Sequence, residues 1–141
     1  MQKVIVLYAS ANKGKTTTLN KLIDLLSLVS DYYEMYRSGE GWAYFEIKRL
    51  KIVVCTVGDS KEDVKENIKY GQDKDCDIFI TASRTKGGTT NEVGRFACQQ
   101  RSNVVWIKKD IRELSNNLFA ANIFNLIINE AGCNFSRYVY S

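Results

Sequence analysis

The sequence contains no histidine and no proline. The first absence removes every catalytic triad, general base and metal site that depends on an imidazole. The second leaves loop shape to nine glycines and to polar residues. Cysteine is sparse: Cys55, Cys76, Cys98 and Cys133 form no CxxC pair, which argues against a zinc site and suits reduced thiols. Like charges never gather into a block of five or six, and the net charge is only +4. The sequence therefore does not signal nucleic-acid binding. No apolar run approaches the length of a membrane span. The opening MQKVIVLYASA imitates a secretory signal, but its apolar stretch is shorter than the usual core of one. A soluble, cytoplasmic protein is the expectation.

What is present is ordinary for a globular domain. The chain has 141 residues, 45% of them hydrophobic and 26% charged. That suits one domain over 1–141 with a real core. Residues 3–9, KVIVLYA, read as a buried strand. From Thr16 to about Leu28, Leu19, Leu22, Ile23 and Leu26 recur at helical spacing. Residues 30–41 read as a loop. WAYFEIKR (42–49) and LKIVVCTVG (50–58) read as two strands of an antiparallel hairpin, separated only by charged residues. A surface helix over 60–72 follows, then a buried strand at 76–83. Next come a helix from about Thr89 through Arg101, a strand at 103–109 and a long apolar helix over 111–132 that Gly132 would stop. The last nine residues alternate like a short edge strand. Strands alternating with helices predict an α/β three-layer sandwich, its mainly parallel sheet having about five strands.

The most informative stretch lies where the first strand hands over to the first helix. Residues 9–16, ASANKGKT, resemble the Walker A pattern G-x-x-x-x-G-K-[ST] in all but the first position, where Ala9 stands for glycine. Such a loop turns successive backbone N–H groups inward, and the following helix aims its positive end at the same point. On this match the chain resembles the P-loop NTPase superfamily. The resemblance implies that Ala11, Asn12, Lys13, Gly14, Lys15, Thr16 and Thr17 cradle the phosphates. Lys15 would reach the β- and γ-phosphates, and the Thr16 hydroxyl would ligate Mg²⁺.

Other parts of the resemblance are imperfect. P-loop proteins carry a later D-x-x-G at a strand end, but here Cys55-Thr56-Val57-Gly58 has cysteine in the aspartate position and Asp59 follows directly. A neutral thiol cannot organise hard Mg²⁺. Asp59 either takes over through a water or, with Ser60, simply caps the next helix. The hairpin before this stretch resembles the GTPase arrangement. The guanine-reading N-K-x-D is reduced to Ile107-Lys108-Lys109-Asp110, which favours ATP over GTP. In SRTKGGTTNEV (83–93), Arg84 and Lys86 either stabilise charge on a transferring phosphoryl group or are solvated residues of a glycine turn.

Aromatics cluster at 30–45: Tyr32, Tyr33, Tyr36, Trp42, Tyr44 and Phe45. They are either packing residues or a base- or acceptor-binding wall. The last helix is either sandwiched in the core or partly a dimer surface.

The expectation is a small nucleoside-triphosphate-binding P-loop protein using Mg²⁺, a slow NTPase or a nucleotide-dependent switch. The alternatives are a kinase for a small acceptor and a non-catalytic binding module. A homodimer or a partner protein would supply missing groups.

Overall fold

The computed structural model describes residues 3–9, 14–38, 40–58, 60–84, 88–109 and 113–139. In chain order the elements are β1 (Lys3–Tyr8), α1 (Lys15–Val29), β2 (Tyr32–Ser38), β3 (Glu40–Ile47), β4 (Leu50–Cys55), α2 (Lys61–Asp73), β5 (Ile78–Ser83), α3 (Gly88–Gln100), β6 (Asn103–Lys108) and α4 (Glu113–Val139). The six strands form one sheet in the order β2-β3-β4-β5-β1-β6. β4, β5, β1 and β6 run parallel, while β3 runs against both β2 and β4.

The side-chain alternation of the strands builds two cores. Ile5 and Leu7 of β1, Phe45 of β3, Ile52 and Val54 of β4 and Ile80 of β5 pack against Leu19, Leu22, Ile23 and Leu26 of α1 and Ile123 and Ile127 of α4. The opposite face sets Val4, Val6, Val53, Cys55 and Phe79 against Val64 of α2 and Val93 and Phe96 of α3. The α/β sandwich expected from the sequence is present. Its sheet has six strands rather than five.

The extra strand is β2, in the stretch read as a loop. Serine, aspartate and glycine at its ends imitate a connection. Its tyrosines instead line an edge strand, with Tyr32 against Tyr44 and Tyr33 against Phe45 at ring distances of 6.3 and 6.2 Å. An edge strand buries too little to print a strong apolar alternation. The β3–β4 hairpin is as expected. Its two turn residues, Lys48 and Arg49, both have positive φ, 48° and 73°, the twist that a tight hairpin turn requires. Asp31 accepts the Lys48 N–H at 2.9 Å and steadies that turn.

The chain's end also differs from expectation, because α4 runs through Gly132 to Val139 where a stop and an edge strand were predicted. A glycine costs a helix about 1 kcal/mol, and it ends one by adopting positive φ. Among the described glycines only Gly14 does so.

Candidate functional site

In a parallel α/β sheet the carboxyl ends of the strands form one edge, where ligands gather. Here that edge collects the ends of β1, β4, β5 and β6 and the starts of α1 and α3. α1 follows Gly14, its N-cap residue, whose φ of 81° and ψ of 20° are left-handed and which offers no capping side chain. Glycine has no side chain with which to cap the first-turn amides, which is the task of the usual N-cap residue. The left-handed φ selects glycine here, and a Cβ on Gly14 would stand 2.7 Å from the Asn116 side-chain oxygen, which would have to move aside.

Lys15 is only 6% exposed. Its ammonium donates to the carbonyl oxygens of Ala9 and Ser83, both at 3.1 Å. These carbonyls terminate β1 and β5, which pair in parallel register from Lys3↔Ile78 to Tyr8↔Ser83. The lysine thus bridges the carboxyl ends of two adjacent strands. Ala9 N–H also donates to Ser83 O, at 3.2 Å. Ala9 is not among the positive-φ residues, so alanine in the glycine position of the pattern carries no left-handed strain.

Thr16 Oγ1 donates to Thr56 O at 3.0 Å, joining α1 to the exit of β4 across the intervening β5. A hydroxyl that donates its proton keeps lone pairs for a cation. Among the described residues there is no group of three cysteine, aspartate or glutamate side chains able to hold a metal. Mg²⁺ commonly keeps several waters and takes few protein ligands, so one threonine oxygen would suit it only if phosphate oxygens completed its shell. Thr17 is exposed on the first turn.

The other predicted residues fare differently. Ala11, Asn12, Lys13, Asp59 and Lys86 lie outside the described residues. Of the two roles weighed for Asp59, the capping one belongs to Ser60. Its hydroxyl accepts Asp63 N–H at 3.0 Å while the Asp63 carboxylate accepts Ser60 N–H at 3.2 Å. Cys55, in the aspartate position, is fully buried, and burial pushes its thiol well above the ordinary range. It stays a neutral core residue. β4 does not flank β1, which is bordered by β5 and β6. Arg84 has an exposed side chain. Its N–H and C=O are clasped by Thr89 Oγ1 at 3.0 Å and Thr90 Oγ1 at 2.8 Å.

At the end of β6, Ile107 packs against the core and Lys108 is exposed. It is Lys109 that turns inward, its N–H on Tyr8 O at 2.9 Å and its ammonium 5.3 Å from the Phe119 ring centroid. The aromatic cluster packs within itself and against α2, with Tyr36 edge-on to Tyr70 at 6.2 Å. Trp42 stacks on Tyr70 at 5.2 Å and donates its indole N–H to Asn67, whereas Tyr32, Tyr33 and Tyr36 are about half exposed.

Comparison with known proteins adds no relative. No family model matches the sequence, and no curated protein or solved structure is significantly similar to it. The site must be read from its own residues.

Sequence reasoning overlooked several of those residues. Thr56 holds the β2–β3 hairpin: its N–H reaches Gly41 O at 3.0 Å, and its hydroxyl accepts Gly41 N–H at 2.8 Å. Asn67 is 3% exposed and spans from α2 to Val57 O and Thr81 Oγ1. A polar residue on the buried stripe Val64, Asn67, Gly71 was the available signal. Asn116 gave none, since nothing local marks a residue that meets another helix.

Proposed function

We propose that this chain is a small P-loop protein that binds a nucleoside triphosphate together with Mg²⁺. It either hydrolyses the nucleotide slowly or changes conformation with it. The observation that carries this reading is the setting of Lys15. A buried ammonium donates to two strand-end carbonyls, immediately after a left-handed glycine and at the start of a 15-residue helix. Folding gains little from a buried lysine that an apolar residue could replace. Anion binding does need a positive charge beside helix amides. The Thr16 hydroxyl fits as one Mg²⁺ ligand, and Mg²⁺ would supply charge neutralisation between phosphates. Arg84 and Lys86 are candidate charge stabilisers, and Asp59 is the candidate carboxylate for the metal's water shell. ATP is favoured over GTP because Ile107 has no group with which to meet a guanine edge.

The test measures ATP and GTP binding with and without Mg²⁺ on wild type and Lys15→Ala, with phosphate release read from the same samples. Mg²⁺-dependent binding weakened at least about tenfold by the substitution is expected. Equal binding by both proteins, or none by wild type, would overturn the reading. A second reading, binding without turnover, is favoured by Cys55, whose buried thiol supplies no carboxylate at the end of β4. Nucleotide bound but never hydrolysed would select it. A phosphorylated small molecule would instead mark transfer to an acceptor.

A further inference from the structure

α4 begins far along the chain from the Walker-like segment, yet it reaches the left-handed glycine of that segment. Asn116 is 7% exposed and Thr18, on α1, is fully buried. The Thr18 hydroxyl donates to Asn116 Oδ1 at 3.2 Å. The same oxygen stands where a Cβ of Gly14 would intrude, at 2.7 Å. One amide oxygen therefore accepts from the inward-facing hydroxyl of the first turn and occupies the space beside Gly14 where a Cβ would stand.

We propose that Asn116 is a positioning residue for nucleotide binding, holding Gly14 and the first turn of α1 in the orientation that aims the amides of residues 15–17 at the phosphates. The proposal rests on the nucleotide-binding reading above. A threonine inside a helix has an alternative acceptor, the carbonyl four residues earlier, and bonding to it bends the helix. For Thr18 that carbonyl belongs to Gly14, which already accepts the Thr18 N–H at 2.9 Å. With Asn116 in place the hydroxyl is drawn away from the loop, and the Gly14 carbonyl keeps its regular helical bond. Without it the hydroxyl turns back on Gly14 and pulls at the junction. Small errors in aim are costly where several donors must converge on one anion. The juxtaposition also makes α4 a support for the site, although none of its described residues comes from the Walker-like segment.

The test uses the full chain with four variants: Asn116→Ala, Thr18→Val, Thr18→Ser and the Thr18→Val/Asn116→Ala pair. MgATP affinity is measured by calorimetry and thermal unfolding by circular dichroism. Asn116→Ala and Thr18→Val are each expected to weaken MgATP by about five- to tenfold. Thr18→Ser, which keeps the hydroxyl, should bind like wild type. The double variant should be no weaker than the worse single one, because both remove the same contact. If Asn116→Ala does not fold, the comparison of Thr18→Val with Thr18→Ser carries the test. Folded variants that bind MgATP within twofold of wild type, with only their melting temperatures lowered, would show a purely structural contact and sink the proposal. Losses that multiply in the double variant would sink it too. If wild type fails to bind ATP, or Lys15→Ala binds it equally well, the nucleotide reading itself has fallen. Failure confined to Asn116 and Thr18 leaves that reading standing.

Discussion

At the scale of single residues, the site edge is defined by two glycines used for different reasons. Gly14 is required by its left-handed φ. Gly58 is required by space alone, since a Cβ there would stand 1.9 Å from the backbone oxygen of Ala82. That contact is between main chains, and a rotamer change cannot relieve it. Gly58→Ala should therefore cost about 3 kcal/mol or more, read as a fall in the urea midpoint at unchanged slope. A midpoint equal to wild type would mean that β4's exit can move away from β5. Ala9 makes the opposite point. The missing glycine of the pattern looked like a defect, but the backbone there never enters the left-handed region, and its methyl group is simply buried.

Elements meet at the site through hydrogen bonds between residues distant in sequence. Thr16 joins α1 to the end of β4, and Thr56 joins β4 to the start of β3. The hairpin β2–β3 is thereby tied to the first turn of α1 through two consecutive threonine contacts. Thr56→Val keeps the shape but removes the hydroxyl's bonds to Gly41. It should lower stability by about 1–2 kcal/mol and speed hydrogen exchange of the Gly41 amide about tenfold. Exchange at Gly41 unchanged by the substitution would dismiss the tie. Beyond Gly58, the reciprocal Ser60–Asp63 cap fixes where α2 starts. The exit of β4 is held at both ends, by Thr56 to the hairpin and by Ser60 to the helix.

For the whole molecule, titration of the core decides the response to pH. Burial pushes the Cys76 thiol up to about 12, and it raises Cys55, Tyr44 and Tyr70 as well. In the unfolded chain thiols and phenols titrate near about 8.5 and 10. Above those values the unfolded chain sheds protons that the folded one keeps, so the unfolded state is favoured increasingly. Stability should be full below about pH 8.5, fall as pH rises past it and steepen beyond about 10. Urea midpoints at pH 7 and 10.5 measure this, and a flat profile would contradict the burial of these groups. At low pH the sign reverses. Lys74 first, and then Tyr32, hold the Glu34 carboxyl below its usual range, so its contribution is lost as pH falls through that lowered value. Exposed Cys98 should accept a thiol reagent in the folded protein while Cys55 and Cys76 resist it. Peptide mapping of the labelled protein reads the difference.

The sequence by itself determined the layer architecture, because buried parallel strands and one-sided helices have different apolar periods, and each period is local. It also determined the strand-to-helix position of Gly14, Lys15 and Thr16, since that motif lies within eight consecutive residues. β2 escaped because an edge strand gains its stability from one neighbour and buries little of its own surface. The end of α4 escaped because a glycine stops a helix through its conformation, not through its identity. Only the tertiary structure decided the strand order that sets β5 beside β1. The same holds for the carbonyl of Ser83 on Lys15, the Thr56 tie and the approach of Asn116 to Gly14. Each joins residues tens of positions apart, and sequence periodicity carries information about a residue's own element, not about the element it will touch.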